Sequence, residues 1–258
     1  MDVTTIILIG IVLTLGSLIQ GAAGFAFGLF AVPMLVLIGL APYEAIPTVS
    51  TCALIQCAIG LRKLHDVVPW KQVLWMSALG IAIQPVGVWL LGEAIAATKD
   101  KPHLIRQGFG AILIAVLLLQ GLLRPKPREK IHTLWAVPTM VVSGITSGTA
   151  GMTAPSIVVW LLAHDWSSKK MRATMWAFFI LMIPSNIFFQ SVKFGPVVWE
   201  RAGIAILFLP VVILGSIPGI WLGNKLSRTL LRRIAIALLY LIGIYALVQP
   251  MIVNNMSP

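Results

Sequence analysis

The side chains that most often carry chemistry stand at the margins of this chain. Its eight carboxylates, Asp2, Glu44, Asp66, Glu93, Asp100, Glu129, Asp165 and Glu200, all lie at the ends of apolar runs or in loops. None is deep enough in a run to be an obvious proton relay or cation ligand. His65, His103, His132 and His164 fall beside the same breaks, where an interfacial polar role is the plainer account. Cys52 and Cys57 share one apolar segment; five residues apart on a helix they point in well-separated directions, which fits small buried residues better than a mutual disulfide. No paired His–Glu zinc motif, intramembrane aspartate pair or Walker glycine loop occurs, so a membrane protease and an ATP-driven pump are disfavoured. The sequence therefore predicts no enzyme, catalytic residue, metal or cofactor.

What remains inside the apolar runs is glycine, proline, hydroxyls and amides. One stretch, Gly21-Ala22-Ala23-Gly24-Phe25-Ala26-Phe27-Gly28, is followed by Pro33; another, Gly144-Ile145-Thr146-Ser147-Gly148-Thr149-Ala150-Gly151, is followed by Pro155. Glycine weakens a helix and proline removes a backbone donor. Each stretch is therefore expected to break a helix. Backbone N–H groups freed in lipid must be satisfied, and a helix starting at such a break aims its amides and positive dipole end at it. That makes an anion site without a full positive charge. The candidate substrate-binding residues are Gln20, Gly24, Gly28 and Pro33 at the first break and Ser147, Gly148, Thr149, Gly151 and Pro155 at the second. Thr51, Gln56, Asn186 and Gln190 join them from neighbouring runs. Two plainer roles stand beside these: close helix packing for the glycines and helix-to-helix hydrogen bonding for the amides.

The elements that must position these residues are apolar runs: Ile6 to Leu40, Ala45 to Leu61, Gln72 to Leu91, Leu104 to Leu123, Leu134 to Ala163, Ala173 to Val192, Ala202 to Leu222 and Ile234 to Val253. Most have the length a spanning helix requires. The halves resemble each other: both open on the longest run with its glycine stretch and proline, and Gly87-Val88-Trp89-Leu90 is echoed by Gly219-Ile220-Trp221-Leu222. This predicts repeats over 1–123 and 134–258 joined by a cytoplasmic linker, 124–133. The first run would be about 52 Å of straight helix, against a hydrocarbon core of about 30 Å. It is short for two full spans, so a helix folding back as a hairpin fits.

Charge tests the topology. If all eight runs crossed once, the two sides would collect nine and ten Lys plus Arg. If Leu134 to Ala163 returns to its own side, the split is fourteen to five, as the positive-inside rule prefers. Charge is silent on the first run, which has no flanking Lys or Arg; the repeat predicts that it doubles back as well. The expected fold is all-α: a polytopic membrane helix bundle of two inverted repeats, each a broken-helix hairpin plus three spanning helices. Both termini would lie outside the cytoplasm, with Trp70, Trp135, Trp166 and Trp199 in an interfacial belt.

Composition agrees. Of 258 residues, 59% are hydrophobic and only 10% charged, too few charges to cover a water-facing surface, so lipid is the expected solvent. The net charge of +11 sits in short loops as topology signals, without the basic-aromatic cluster of a nucleic-acid binder. Arg62, Lys63, Lys169, Lys170 and Arg172 would face the cytoplasm, where topology alone accounts for them and attraction of anions is the further role. The expected partners are a small anionic solute and the bilayer of the cell's inner membrane; a homo-oligomer stays open.

Over nearly its whole length the chain resembles the sulfite exporter TauE/SafE family of membrane permeases, through Gly24, Gly28 and Pro33 and through Gly148, Gly151 and Pro155. The resemblance implies gradient-driven transport of sulfite, an organosulfonate or a related sulfur oxyanion. The chain departs from the family pattern at Ala22-Ala23 with Phe25 and Phe27, where members are often richer in glycine, and at Met175-Trp176, where members often carry smaller residues. A non-transporting membrane assembly or anchoring protein is the alternative function.

Overall fold

A computed structural model describes residues 2–24, 26–62, 64–99, 101–122, 131–225, 237 and 239–248. Among them the regular elements are helices: α1 Val3–Ala23, α2 Phe27–Leu37, α3 Pro42–Leu61, α4 Trp70–Ala97, α5 Pro102–Leu122, α6 Ala136–Ala150, α7 Ala154–Leu162, α8 Ser168–Phe194, α9 Val197–Leu207 and α10 Leu209–Lys225. A further apolar helix, α11, covers Leu239–Val248. Most of the linker, and the ends of the last predicted run, lie outside the described residues.

Four helices are long and apolar enough to cross a membrane: Val3–Ala22, Pro42–Leu61, Trp70–Ala97 and Ser168–Phe194. Local chemistry sets their ends. The Asp2 carboxylate accepts from the Thr5 N–H at 3.0 Å and caps α1. Pro42 opens α3, where a missing N–H costs nothing. The Ser167 hydroxyl accepts from the Lys170 N–H at 3.3 Å and caps α8.

Both expected breaks are present. Gly24 ends α1 at φ 85°, and Gly151 ends α6 at φ 65°. Only glycine takes this left-handed conformation without a steric cost. The Gly151 N–H donates to Ser147 O, the bond of an αL helix ending, and the Met152 N–H donates to Thr146 O. The arms differ from the short hairpin expected in the first half. With 21 residues, α1 is by itself long enough to span, whereas α2 has 11, α6 15 and α7 9.

One break was not expected. The run Ala202 to Leu222 is bent by 58° between α9 and α10. Pro210, in the first turn of α10, has no N–H to offer the preceding turn, so the helix divides there.

Contacts fix the directions of the helices. Tyr43 stacks on Phe194 at 5.4 Å between ring centroids, while Gly60 lies against Trp176, so α3 and α8 run antiparallel. Going up α1, Gly10 meets Phe208, Ser17 meets Gly215 and Leu18 meets Gly219, so α1 and α10 run parallel. Gly144 and Gly148 of α6 meet Gly80 and Gly87 of α4 in the same order, so these too run parallel. Ser17 and Gln20 late in α1 meet Gln56 and Cys57 late in α3, so α1 and α3 run the same way, and α2, which ends five residues before α3 begins, returns to the end from which α1 starts. Gly80 and Gly92 of α4 meet Met182 and Lys193 of α8 in the same order, so α8 runs with α4 and α6, and α7 returns to the end from which α6 starts, at the opposite end of the bundle.

Both parallel pairs approach backbone to backbone. A Cβ at Gly21 would meet Ser216 O at 2.8 Å, Ile220 N at 3.1 Å and the Gly219 carbonyl carbon at 3.2 Å. One at Gly148 would meet Gln84 O at 2.5 Å, Val88 N at 2.6 Å and the Gly87 carbonyl carbon at 2.8 Å. The same backbone atoms, at matching places on α10 and α4, press on the two glycines.

Candidate functional site

The two breaks meet. A Cβ on Gly28, in the first turn of α2, would lie 3.0 Å from the carbonyl oxygen of Gly151. Between them is a small, partly open recess. Ala26 to Leu29 line it from the first break and Gly151 to Ala154 from the second. Gln20 of α1, Val49, Ser50 and Ala53 of α3, and Phe179 of α8 complete the wall. These positions are central in α3 and α8, well away from the charged helix ends.

No side chain caps α2 or α7. A helix's first amides have no partner within it, so those of Phe27, Gly28 and Leu29, and of Ala154 and Ser156, begin at the recess. The dipoles of both helices add positive potential there. The local chain conformation is costly. Ala26 sits at φ 92°, buried, where a residue with a Cβ loses roughly 1–2 kcal/mol. Strain of this kind is characteristic of functional turns.

Of the predicted residues, Gln20, Gly28 and Gly151 line the recess directly. Gly24 ends α1 beside it, and Pro155 falls in the first turn of α7. The Gln20 amide donates to Cys57 Sγ at 3.7 Å.

The other predicted residues sit around the recess. Ser147 is a hub: its hydroxyl accepts from Gln84 Nε2 and Thr153 Oγ1, each at 3.1 Å, and from Asn186 Nδ2 at 2.8 Å. Asn186 also donates to Ser147 O, and Gln190 Nε2 to Gly148 O at 3.1 Å, tying α8 to α6. Gln56 Nε2 donates to Ser17 O at 3.3 Å and Ser216 Oγ at 2.7 Å, tying α3 to α1 and α10. Gly148 is pressed against α4, and Thr149 donates to Ile145 O of its own helix at 2.9 Å. Pro33 is buried inside α2, away from the recess. Thr51 is also buried, and its hydroxyl has no protein partner. The amide oxygens of Gln56, Asn186 and Gln190 are likewise buried without one. Among the described residues no cluster of three His, Cys, Asp or Glu could hold a metal.

Residue types had not singled out Ala26, Phe27, Leu29, Val49, Ala53, Met152, Ala154 or Phe179, because apolar lining residues look like core. Ser50 and Thr153 carried a signal, being hydroxyls in apolar runs at or near the breaks.

The match to the model of the sulfite exporter TauE/SafE family runs from residue 8 to residue 246 and takes in both breaks and every wall of the recess. The chain belongs to that family. It is thus a multi-pass membrane protein of a family of transport permeases, as its apolar helices require. No curated protein and no solved structure matches the chain.

Proposed function

We propose that this TauE/SafE family member is a secondary transporter of a small sulfur oxyanion, sulfite or an organosulfonate, working by alternating access. The amides opening α2 and α7 bind the anion's oxygens, and Gln20, Ser50 and the Thr153 hydroxyl complete the pocket. Gln56, Ser147, Asn186 and Gln190 brace the helices around it. The observation that carries this reading is the meeting of Gly28 with Gly151 O across a recess onto which two uncapped helix starts open.

The alternating part rests on two inverted repeats, 1–123 and 134–258. Supporting it are the antiparallel course of α3 and α8, the hairpins that enter from opposite ends, and the matched packing of Gly21 on α10 and Gly148 on α4. With fourteen Lys and Arg on the linker side, that side is cytoplasmic and both termini lie outside.

Counterflow in proteoliposomes tests the reading. Labelled sulfite should be driven by unlabelled sulfite and by sulfonates, and not by carboxylates. Absence of flux for every oxyanion offered would sink it.

A further inference from the structure

The two breaks end in the same backbone conformation but meet different side chains. A Cβ on Gly151 would touch Ile46 of α3, at 3.0 Å and 3.3 Å, and Val32 at 3.5 Å. A Cβ on Gly24 would lie 3.7 Å from Nε of Arg172, on α8. At the second tip an aliphatic side chain is enough to seat the turn. The first tip is given a permanent cation in its place.

Arg172 is half-buried, and its guanidinium carbon lies 5.8 Å from the centroid of the Trp176 ring. The ring attracts the guanidinium from that distance and helps to place it. Gly24 stands between Gln20 and Ala26, both of which line the recess. The cation therefore stands beside the first break, next to the start of α2. Arg172 is the fifth residue of α8, one turn inside the Lys169–Lys170 end, so its side chain reaches from that end toward the first break.

We propose that Arg172 sets the charge preference of the anion site, favouring a dianion over a monoanion. This rests on the oxyanion reading above. Coulomb attraction doubles with the charge of the anion, so losing the guanidinium weakens a dianion by the square of the factor lost for a monoanion.

The test is the KM for sulfite at about pH 8, where it is mainly a dianion, and for the monoanion methanesulfonate, in proteoliposomes of wild type, R172Q, R172K and the control K71Q. Lys71 is exposed at the start of α4 on the same side. R172Q is expected to raise the KM for sulfite about tenfold and that for methanesulfonate about threefold, with kcat little changed. R172K should fall between R172Q and wild type, and K71Q should match wild type. If wild type transports and R172Q leaves both KM values unmoved, or lowers kcat equally for both anions, Arg172 is a topology signal and the proposal is wrong. If wild type carries neither anion, the oxyanion reading itself fails, and this proposal with it.

Discussion

Glu44 and Arg201 clasp each other between the first half of the chain and the second. Glu44 Oε1 accepts from Arg201 Nε at 3.1 Å and Nη2 at 2.6 Å, while Oε2 accepts from the Ala41 N–H at 3.0 Å. The side chains are only 19% and 17% exposed, respectively. One carboxylate thus fixes the start of α3 and fastens α9 to it. Removing the carboxylate takes away these bonds together, at about 3 kcal/mol. Glu44→Gln should lower the thermal midpoint in detergent, and adding Arg201→Gln should recover part of the loss. An unchanged midpoint for Glu44→Gln would mean that the pair holds nothing together.

The glycines divide into those that permit packing and those that shape the breaks. Gly148→Ala sets a Cβ at 2.5 Å from Gln84 O and 2.6 Å from Val88 N, backbone atoms that cannot swing away. Its expected cost is about 2–3 kcal/mol. Gly203→Ala, in α9 with nothing within 4 Å, should gain up to about 1 kcal/mol. Thermal unfolding of the two variants distinguishes them; equal midpoints would contradict the tight contact of α4 and α6. A bulky residue at Gly148 therefore reports on folding before it reports on transport.

Ala26 offers the reverse case. Its φ of 92° favours glycine, so Ala26→Gly should stabilise the protein by about 1 kcal/mol, and Ala26→Val should destabilise it. A fall in the midpoint for Ala26→Gly would argue against a left-handed residue at the head of α2.

Much of this arrangement is legible in the residues. Gly24 and Gly151 announce both breaks, because few residues other than glycine tolerate a left-handed helix end. The register is less legible. Matching the glycine stretches by eye sets Gly28 beside Gly151, whereas the residues doing the same work are Gly24 and Gly151, one helical turn away. Pro210 was a visible signal for the bend between α9 and α10, hidden by an unbroken apolar run. Gly148 and Gly28 cannot be sorted by type alone: one faces a backbone in α4 and the other a recess, and only the packing of distant helices decides which. The strained Ala26 leaves no trace in the sequence.

His164 carries a pH dependence. It is buried after α7 between Trp160 and Trp166, with ring centroids at 4.1 Å and 4.5 Å, and its Nδ1 lies 2.9 Å from Trp160 O. Burial, with Lys170 nearby, holds its pKa below the usual 6.5, although the bond to Trp160 O opposes the shift. The unfolded chain then binds more protons than the folded one as pH falls below 6.5. The stability from neutral His164 is full above that value and is lost as pH drops through the folded pKa. The thermal midpoint should decline on acidification from pH 6.5, and His164→Gln should flatten that decline. Identical slopes for the two proteins would remove His164 from the account.

The shared recess itself is tested most directly by chemical access and protection. Cys52 and Cys57 are free and buried, so replacing both with alanine gives a background in which Ser50→Cys places a single thiol on the recess wall. A charged, membrane-impermeant thiol reagent should modify that thiol, and methanesulfonate should slow the reaction in a saturable way, while acetate at the same ionic strength should not. A thiol that the reagent never reaches, or one whose modification methanesulfonate leaves unchanged, would contradict an anion-holding pocket between the two breaks.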